Sequence, residues 1–411
     1  PSLIVCPASL VLNWAEECQK FTPELSCVVV DGDVAHRAEL AESWPAADLV
    51  VTSYDLLRRD EALYEGQEFY ACILDEAQAI KNHTTQKYKA VCKVRSRVRF
   101  ALTGTPVENR LGELWSIFSF LMPGYLPPYK SFCSRFEKPI VQEEDQTAVR
   151  RLNQLTGPFI LRRMKSDVLK ELPPKTENVY RIELEEEQRK LYLAAVVDAR
   201  EKLQAAKPED KMAVFAVLMR LREICCDPRL IADNWEGGSA KLDACAELVS
   251  SAVEGGHRIL LFSQFTSMLE LLAKRLDAEG ISHFTLQGST PKPVRAELVR
   301  RFNGGEVSVF LISLRAGGTG LNLTAADIVI HYDPWWNVAA QNQATDRAYR
   351  IGQQNPVQVY KLIAQDTIEE KIVELQQAKQ SLADTVTGTA DGAILSMRPD
   401  ELLQLLEGSE P

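Results

Sequence analysis

The chain has 411 residues, of which 45% are hydrophobic, and its formal net charge is −10 at pH 7. That length gives room for about two or three domains, and no apolar run approaches the length of a membrane span. The acidic balance argues against a uniformly basic nucleic-acid binder, so any such binding must be local. The nine cysteines form no CxxC pair and the five histidines form no ligand cluster, which indicates reduced core thiols and no zinc site.

The first part of the chain alternates short apolar runs with amphipathic segments. We predict strands at Ser2–Cys6, Cys27–Val30, Leu49–Thr52, Ala71–Leu74 and Val98–Leu102. We expect a helix after each of the first four, namely one capped by Ser9 with Val11, Trp14, Cys18 and Phe21 on its inner face, then His36–Ser43, Leu56–Tyr64 and Thr84–Val91. This alternation predicts a parallel sheet covered by helices on both faces.

Two adjacent carboxylates follow the fourth of these strands. Asp75 and Glu76 are costly at the end of an apolar strand unless they meet a cation. Mg²⁺ keeps most of its waters and takes only one or two carboxylates. We therefore predict that Asp75 holds Mg²⁺ and that Glu76 orients or deprotonates an attacking water. An Asp-Glu pair in this place also fits a helix N-terminus that complements the helix dipole, and the residues alone leave that alternative open.

Two further features of this half are ambiguous by themselves. Thr103 and Thr105 lie in a Thr-Gly-Thr-Pro turn, which either points two hydroxyls into a crevice or is a plain turn. Between Ala77 and Val107 there are seven basic residues and no acidic one. The stretch forms either a phosphate-facing patch or a solvated face. The seven residues are Lys81, Lys87, Lys89, Lys93, Arg95, Arg97 and Arg99.

The middle of the chain breaks the rhythm of strands and helices. Leu111–Met122 is apolar on nearly all sides, so we predict a buried helix there, at the start of a helical insertion that extends to about Lys165. Pro173 and Pro174 stop any helix and mark the boundary between two halves. Two more helices, Glu185–Leu203 and Met212–Ile224, are expected after that boundary.

The second half repeats the alternation, and its strands are predicted at Arg258–Phe262, His283–Leu286, Val307–Ile312, Ile328–Tyr332 and Val357–Ile363. Ser267 and Glu270 fit a capping box at the start of the helix after the first of them. Arg347 and Arg350 are three residues apart, so on a helix they would share one face, where two guanidinium groups suit a polyphosphate. Because this helix would follow a strand end and a glycine-rich turn, we favour phosphate binding over a solvated charged face.

These motifs, in this order, resemble the Swi/Snf family of double-stranded-DNA translocases, within the superfamily-two helicases. The most specific are LTGTPVEN from Leu102, SLRAGGTGLNLT from Ser313 and the QxxxRxxR segment from Gln343. The resemblance implies an α/β fold of two RecA-like parallel-sheet lobes with helical insertions. Lobe 1 would be 1–170, with its insertion at 111–165. The remaining ranges would be a linker and helical protrusion of lobe 2 at 171–240, lobe 2 itself at 241–384, and a C-terminal tail at 385–411.

By position, the resemblance also implies roles for individual residues. ATP and Mg²⁺ would bind between the lobes, with Asp75 at Mg²⁺, Glu76 at the water, and Arg347 and Arg350 as arginine fingers at the γ-phosphate. The other implied nucleotide-site residues are Gln78, Gly320 and Gln343. Thr103 and Thr105 would couple the nucleotide to lobe movement. The residues implied near the DNA backbone are Thr52, Ser263, Gln264, Thr319 and Trp336.

One motif of the family, the GxxxxGK[ST] phosphate loop, does not occur in these 411 residues, in which no glycine is followed directly by a lysine. We therefore expect an excised piece of an ATP-dependent double-stranded-DNA translocase that remodels complexes of DNA-bound proteins, with negligible ATPase activity by itself. The alternatives are a non-hydrolysing scaffold that binds DNA or a partner, and an RNA helicase of the same superfamily. We also expect a monomer without membrane contact, in the nucleoid-containing cytoplasm of a prokaryote or the nucleus of a eukaryote.

Overall fold

A computed structural model describes residues 1–104, 111–143, 145–161, 163, 172–205, 207, 210–232, 234–317, 321–376, 402, 403 and 406. The chain divides into two compact units, whose main segments are residues 1–162 and 163–382. The predicted boundary at residues 170–171 lies outside the described residues. So does the predicted tail 385–411, apart from Leu402, Leu403 and Leu406.

The first unit contains a five-stranded sheet in which all strands are parallel. Successive residues of its central strand face opposite sides, so that Leu3 and Val5 pack in one buried cluster while Ile4 and Cys6 pack in another. The predicted parallel sheet with two covered faces is confirmed. The strands are β1 Ser2–Cys6, β2 Cys27–Val29, β3 Leu49–Ser53, β4 Glu68–Leu74 and β5 Arg95–Ala101, in the spatial order β2-β3-β1-β4-β5.

Side-chain caps begin four helices of this unit, because Asp33, Ser53, Thr85 and Asp145 each accept a hydrogen bond from a backbone N–H two or three residues further along the chain. The α-helices that connect or follow the strands are Val11–Phe21, Val34–Ser43, Tyr54–Arg59, Glu61–Glu65, Gln86–Lys93, Leu111–Leu121, Tyr129–Phe132, Lys138–Gln142 and Gln146–Thr156. Among the described residues of the predicted insertion, 111–143 and 145–161, every regular element is helical.

Two helix predictions in the first unit are wrong. Ser9 does not cap the helix after β1, which begins after Leu10 without a side-chain cap. The predicted helix Leu56–Tyr64 is two helices that meet at Asp60. Asp60 leaves helical geometry, with φ −107° and ψ 30°, and its carboxylate binds the buried guanidinium of Arg37, with 2.6 Å between Asp60 Oδ2 and Arg37 Nε.

The second unit contains a six-stranded parallel sheet in the order β6-β11-β10-β7-β9-β8. Its strands are β6 Lys175–Ile182, β7 Ile259–Ser263, β8 His283–Leu286, β9 Val309–Ser313, β10 Ile328–His331 and β11 Val357–Ala364. The sequence did not predict β6, which directly follows the two prolines. Most of its residues are exposed at the edge of the sheet, so the apolar run that marks a buried strand is missing.

The second unit contains two long consecutive helices, Glu186–Ala205 and Lys211–Cys226. Their bounds agree within a few residues with those of the two predicted helices. The others are Ala240–Glu254, Thr266–Ala278, Lys292–Asn303, Leu314–Gly317, Val338–Thr345 and residues 368–376. Among the described helices, none combines the length and apolar character that crossing a membrane requires. The predicted capping box is wrong, because the helix after β7 has Phe265 at its N-cap and already includes Ser267.

The predicted helix through Arg347 and Arg350 is also wrong. The helix ends at Thr345, and residues 346–350 form turns. The carbonyl oxygen of Arg347 accepts from the backbone N–H of Leu323 at 3.0 Å. The next carbonyl, of Ala348, accepts from the side chain of Gln353 at 3.1 Å. Leu323 approaches from another segment and Gln353 from five residues further along the same loop, so these two carbonyls are satisfied without a helix.

Candidate functional site

Asp75 is held at the carboxyl end of β4 by groups from three segments. Its N–H donates to Val5 O at 2.9 Å, which extends the pairing of β4 with β1. Its carbonyl accepts from the hydroxyl of Tyr54 at 2.9 Å. Its carboxylate accepts from the indole Nε1 of Trp14 at 2.9 Å and from the N–H of Glu76 at 2.9 Å. Burial raises the pKa of Tyr54 well above its usual value, and Asp75 raises it further, so the phenol remains a donor.

Glu76 has a left-handed backbone, with φ 50° and ψ 53°. Such a conformation is uncommon for a residue with a side chain and marks a constrained position. Glu76 also precedes the short 3₁₀ helix Ala77–Ile80. The N–H of Ala77 donates to Leu102 O at 3.0 Å, and this bond fixes the turn against the end of β5. The Asp-Glu pair therefore lies at a tight turn and not at the start of a regular α-helix.

A chain of hydrogen bonds joins Glu76 to the turn after β5. The hydroxyl of Thr103 donates to Gln78 Oε1 at 2.8 Å, and Gln78 Nε2 donates to Glu76 Oε2 at 2.6 Å. All three side chains are half-buried. A displacement of the Thr103 turn would therefore pull on the Glu76 carboxylate through a single amide. Thr105, the other predicted coupling residue, lies outside the described residues.

The basic stretch between residues 77 and 107 is largely neutralised within the first unit. Lys87 pairs with Asp55 at 3.1 Å, Lys93 with Glu61, and Arg97 with Glu68 at 3.6 Å. The guanidinium of Arg99 donates to the carbonyls of Phe120 and Val94, and Lys81 lies 3.9 Å from Glu113. These contacts favour a solvated face, whose basic side chains pair within the unit, over a phosphate-facing patch.

The described residues predicted near DNA are mostly covered. Thr52 is 0% exposed, and its hydroxyl accepts from Tyr64 at 3.1 Å. Ser263 and Trp336 are buried as well, at 1% and 4% exposure. Gln264 is half-buried and has partners at both ends of its amide. Thr319 lies outside the described residues. Contact with DNA stays a prediction for all five residues.

A buried arginine organises the region around Gln264 and Trp336. Arg222 donates to Gln264 Oε1 at 2.8 Å, to Pro334 O at 2.6 Å and to Asp333 Oδ2 at 3.2 Å. Its guanidinium carbon lies 4.8 Å from the ring centroid of Trp336. Asp333 also accepts from the backbone N–H of Gln264 at 3.1 Å. Arg222 thus ties the helix Lys211–Cys226 to the ends of β7 and β10.

The predicted phosphate-binding residues of the second unit lie on two kinds of backbone. Gln343 is on the helix Val338–Thr345 and is half-buried, whereas Arg347 and Arg350 lie in the turns that follow. Arg347 is 9% exposed, and Arg350 Nη1 donates a long hydrogen bond to Leu321 O at 3.4 Å. Gly320, also predicted at the nucleotide, lies outside the described residues.

A buried histidine contacts the end of the helix that precedes these turns. His331, at the end of β10, places Nε2 2.9 Å from the hydroxyl of Thr345, the last residue of the helix. Its ring stacks on Phe262 with 5.6 Å between centroids. Burial, and to a smaller extent the charge of Lys361, lowers the pKa of His331 to about 3. The imidazole is therefore neutral at physiological pH.

Sequence reasoning missed several of these partners. Trp14 was predicted only as a core residue, because its spacing from Val11 and Cys18 marks the inner face of a helix. Nothing in the local sequence predicts that Arg222 and Asp333 meet across 111 residues of chain. An aspartate followed by Pro-Trp-Trp at the end of an apolar strand was the one signal available, since a buried carboxylate requires a partner.

Comparison with known proteins agrees with this architecture. Residues 1–230 match the model of the SNF2-related domain, and residues 240–352 match that of the helicase conserved C-terminal domain. The chain belongs to the Swi/Snf family of superfamily-two, helicase-like ATPases. A solved Swi/Snf structure, the SWI2/SNF2 ATPase core domain of Sulfolobus solfataricus, is 35% identical and aligns with 99% of this chain and 84% of its own length, at a TM-score of 0.50. The predicted fold of two RecA-like lobes is thereby confirmed.

Relatives in this family differ in size and name. The putative ATP-dependent helicase/translocase YwqA of Bacillus subtilis is 39% identical over 98% of this chain and 45% of its own length. The human TATA-binding protein-associated factor 172 is 35% identical over 98% of this chain and 25% of its own length. The chain spans 39% to 45% of the length of the bacterial relatives it matches.

Proposed function

We propose that the chain carries the hydrolytic residues of an ATP-dependent translocase that moves along double-stranded DNA and remodels protein–DNA complexes. The observation that carries the proposal is the hydrogen-bonded chain from Thr103 through Gln78 to Glu76. It connects a candidate water-activating carboxylate to the turn that would sense movement of the lobe. The names of the relatives, a helicase/translocase and a TATA-binding protein-associated factor, support this choice of activity.

The chemistry of Asp75 fits Mg²⁺. Its carboxylate is a hard oxygen ligand, half-buried at the end of a parallel strand, and its two oxygens are already oriented by N–H groups. Among the described residues, no three His, Cys, Asp or Glu side chains gather as a dedicated metal cage. That pattern suits Mg²⁺, which relies on few carboxylates and on substrate phosphates. When bound, the ion would neutralise charge on the phosphates, while Glu76 would orient the attacking water.

Arg347 and Arg350 are proposed as the arginine fingers of the same reaction. Guanidinium groups stabilise the charge that develops on the transferred phosphoryl group, and such contacts are worth roughly 10³–10⁵ in rate. We expect Arg350→Ala to lower ATP turnover of the full-length gene product by at least about a hundredfold. Arg300→Ala, at an exposed arginine paired with Glu297, is the matched control and should leave turnover unchanged. Equal turnover of the two variants would refute this assignment.

We propose in addition that the 411 residues alone hydrolyse ATP negligibly. They contain no Gly-Lys pair and thus no phosphate loop. The exposed edge of the first sheet supports this proposal. Among the described strands β5 is the last on its side. An edge strand presents unpaired N–H and C=O groups, which can pair with a further strand. Robust DNA-stimulated turnover by these 411 residues would overturn this part of the proposal.

Displacement of a triplex-forming oligonucleotide from a DNA duplex tests the proposed function. The full-length gene product should release the third strand only with ATP and Mg²⁺, and duplex DNA should stimulate its ATPase activity more than RNA does. Stimulation by RNA alone would favour an RNA helicase. Binding to DNA without ATP-dependent displacement would favour a scaffold. A translocase of this kind would act in the nucleoid-containing cytoplasm of a prokaryote or in the nucleus of a eukaryote.

A further inference from the structure

We propose that Trp14 is a positioning residue for the metal-binding carboxylate of Asp75. The inference rests on the proposed function, in which Asp75 holds Mg²⁺. Its basis is the hydrogen bond that Trp14 Nε1 donates to Asp75 Oδ2 at 2.9 Å, between residues 61 positions apart in the chain. Among the described residues, Trp14 supplies the one side-chain donor to that carboxylate, since the other donor is the backbone N–H of Glu76.

The position of the indole is fixed by its helix and by packing against the first sheet. Trp14 lies one turn into the helix Val11–Phe21, and its N–H donates to Leu10 O at 2.9 Å. Its half-buried ring packs against a cluster that includes Cys6 of β1 and Val51 of β3. Since β1 pairs directly with β4, the helix after β1 brings the indole N–H to the end of the neighbouring strand, where Asp75 begins the turn.

The choice of acceptor separates positioning from ordinary packing. A buried tryptophan usually finds some acceptor for its N–H, and Trp115 of the same unit donates to the backbone carbonyl of Pro127 at 2.8 Å. Trp14 instead donates to a carboxylate at a strand end. Indole is a donor without charge, so it fixes the orientation of the carboxylate without replacing the cation. A lysine or arginine in its place would compete with Mg²⁺ for the same negative charge.

Groups that orient a metal ligand typically change metal affinity by about 10–100-fold when they are removed. We therefore expect Trp14→Phe, which keeps an aromatic ring and loses the donor, to weaken Mn²⁺ binding at Asp75 by about that factor. Mn²⁺ serves as the probe because its free form is counted directly by electron paramagnetic resonance. The titration uses the full-length gene product with the same concentration of ADP in every sample, because the proposed site draws on nucleotide phosphates as well as on Asp75. Four proteins are compared: the unaltered chain, Trp14→Phe, Asp75→Asn and Trp115→Phe.

The component of Mn²⁺ binding that Asp75→Asn removes defines the site. A loss of about 10–100-fold in that component for Trp14→Phe, with Trp115→Phe unchanged, supports the inference. An unchanged dissociation constant for Trp14→Phe would overturn it and leave the proposed role of Asp75 standing. If Asp75→Asn removes no component, the proposed metal role of Asp75 fails, and the inference about Trp14 fails with it.

A second replacement keeps the test valid if Trp14→Phe does not fold. Benzothienylalanine at position 14 retains the fused rings and exchanges the N–H for sulfur, so it removes the donor with little change of shape. The expected loss of Mn²⁺ affinity is the same, about 10–100-fold. Thermal unfolding shows that the protein is folded. A folded benzothienylalanine protein that binds Mn²⁺ as the unaltered chain does would overturn the inference.

Discussion

The hydroxyl of Thr103 donates to Gln78 Oε1 at 2.8 Å, and this bond joins the turn after β5 to the acidic end of β4. Because Gln78 in turn donates to Glu76 Oε2 at 2.6 Å, the orientation of the Glu76 carboxylate depends on a residue 27 positions later in the chain. The same amide cannot reverse without losing its bond to Glu76, since it would then present its oxygen to a carboxylate that only accepts. The relationship gives Thr103 a physical link to the carboxylate that we propose activates water.

The first prediction concerns this link. Thr103→Val keeps the shape of the side chain and removes the hydroxyl, whereas Thr103→Ser keeps the hydroxyl. One neutral hydrogen bond contributes about 1 kcal/mol, so we expect Thr103→Val to lower kcat for ATP by about fivefold to tenfold with little change in KM. Steady-state turnover of the full-length gene product on duplex DNA measures this. Thr103→Ser should turn over near the unaltered rate, and a Thr103→Val protein that does the same would contradict the prediction.

The second prediction concerns the buried pair Arg222 and Asp333, both 0% exposed at their side chains. Removing one partner of such a pair leaves an uncompensated charge and typically costs about 3–5 kcal/mol. We expect Arg222→Met to lower the free energy of unfolding of the second unit by that amount, as measured by urea unfolding of the 411-residue chain. The double variant Arg222→Met/Asp333→Asn should recover part of the loss, because it no longer buries an unpaired carboxylate.

Arg300 provides the control for this measurement. It is an exposed arginine that pairs with Glu297 on the same helix, and surface pairs contribute little. Arg300→Met should leave the urea midpoint unchanged. If Arg222→Met were as harmless as Arg300→Met, Arg222 would not organise the ends of β7 and β10.

The third prediction follows from His331, whose pKa burial lowers to about 3. The unfolded chain takes up a proton at this residue below pH 6.5, whereas the folded chain does not until about pH 3. Stability is therefore lost as the pH falls from about 6.5 toward 3. Between pH 7 and pH 5 the loss from this one group is about 2 kcal/mol. Acidic groups whose pKa is lowered in the folded chain, such as Glu177 with a pKa of about 2, begin to add to this loss of stability only below pH 5.

His331→Gln removes the titrating ring, so its unfolding free energy should change by about 2 kcal/mol less between pH 7 and pH 5 than that of the unaltered chain. Urea unfolding at the two pH values gives the difference. A His331→Gln protein with the same pH dependence as the unaltered chain would show that His331 is protonated in the folded state.

The sequence predicted ten of the eleven described strands, because most of them are apolar. His283–Leu286 agrees with β8 residue for residue, and Ser2–Cys6 agrees with β1. β6 escaped prediction because an edge strand exposes most of its side chains and so lacks an apolar run. The helix through Arg347 was predicted from spacing alone. Spacing does not report that carbonyl groups beyond Thr345 accept hydrogen bonds from Leu323, which lies in another segment, and from the side chain of Gln353, further along the same loop.

For the candidate site, the sequence predicted the proposed reactive groups but not the side chains that orient them. Asp75 and Glu76 stand out because charged side chains at the end of an apolar strand are unusual. Trp14 does not stand out, because its spacing also satisfies the simpler role of a core residue. Its hydrogen bond to Asp75 depends on the pairing of β1 with β4, a contact between distant segments that local patterns do not encode.

ATP hydrolysis by the full-length gene product on duplex DNA, with and without Glu76→Gln, tests the central claim most directly. Gln retains an oxygen that accepts from Gln78 but is not a base, so binding of nucleotide should persist. Loss of a general base typically costs about 10²–10⁴ in rate, and we predict a fall of kcat in that range with an unchanged dissociation constant for ATP. The exposed Glu65→Gln should hydrolyse ATP normally. A Glu76→Gln protein that hydrolyses ATP at the unaltered rate would contradict the account.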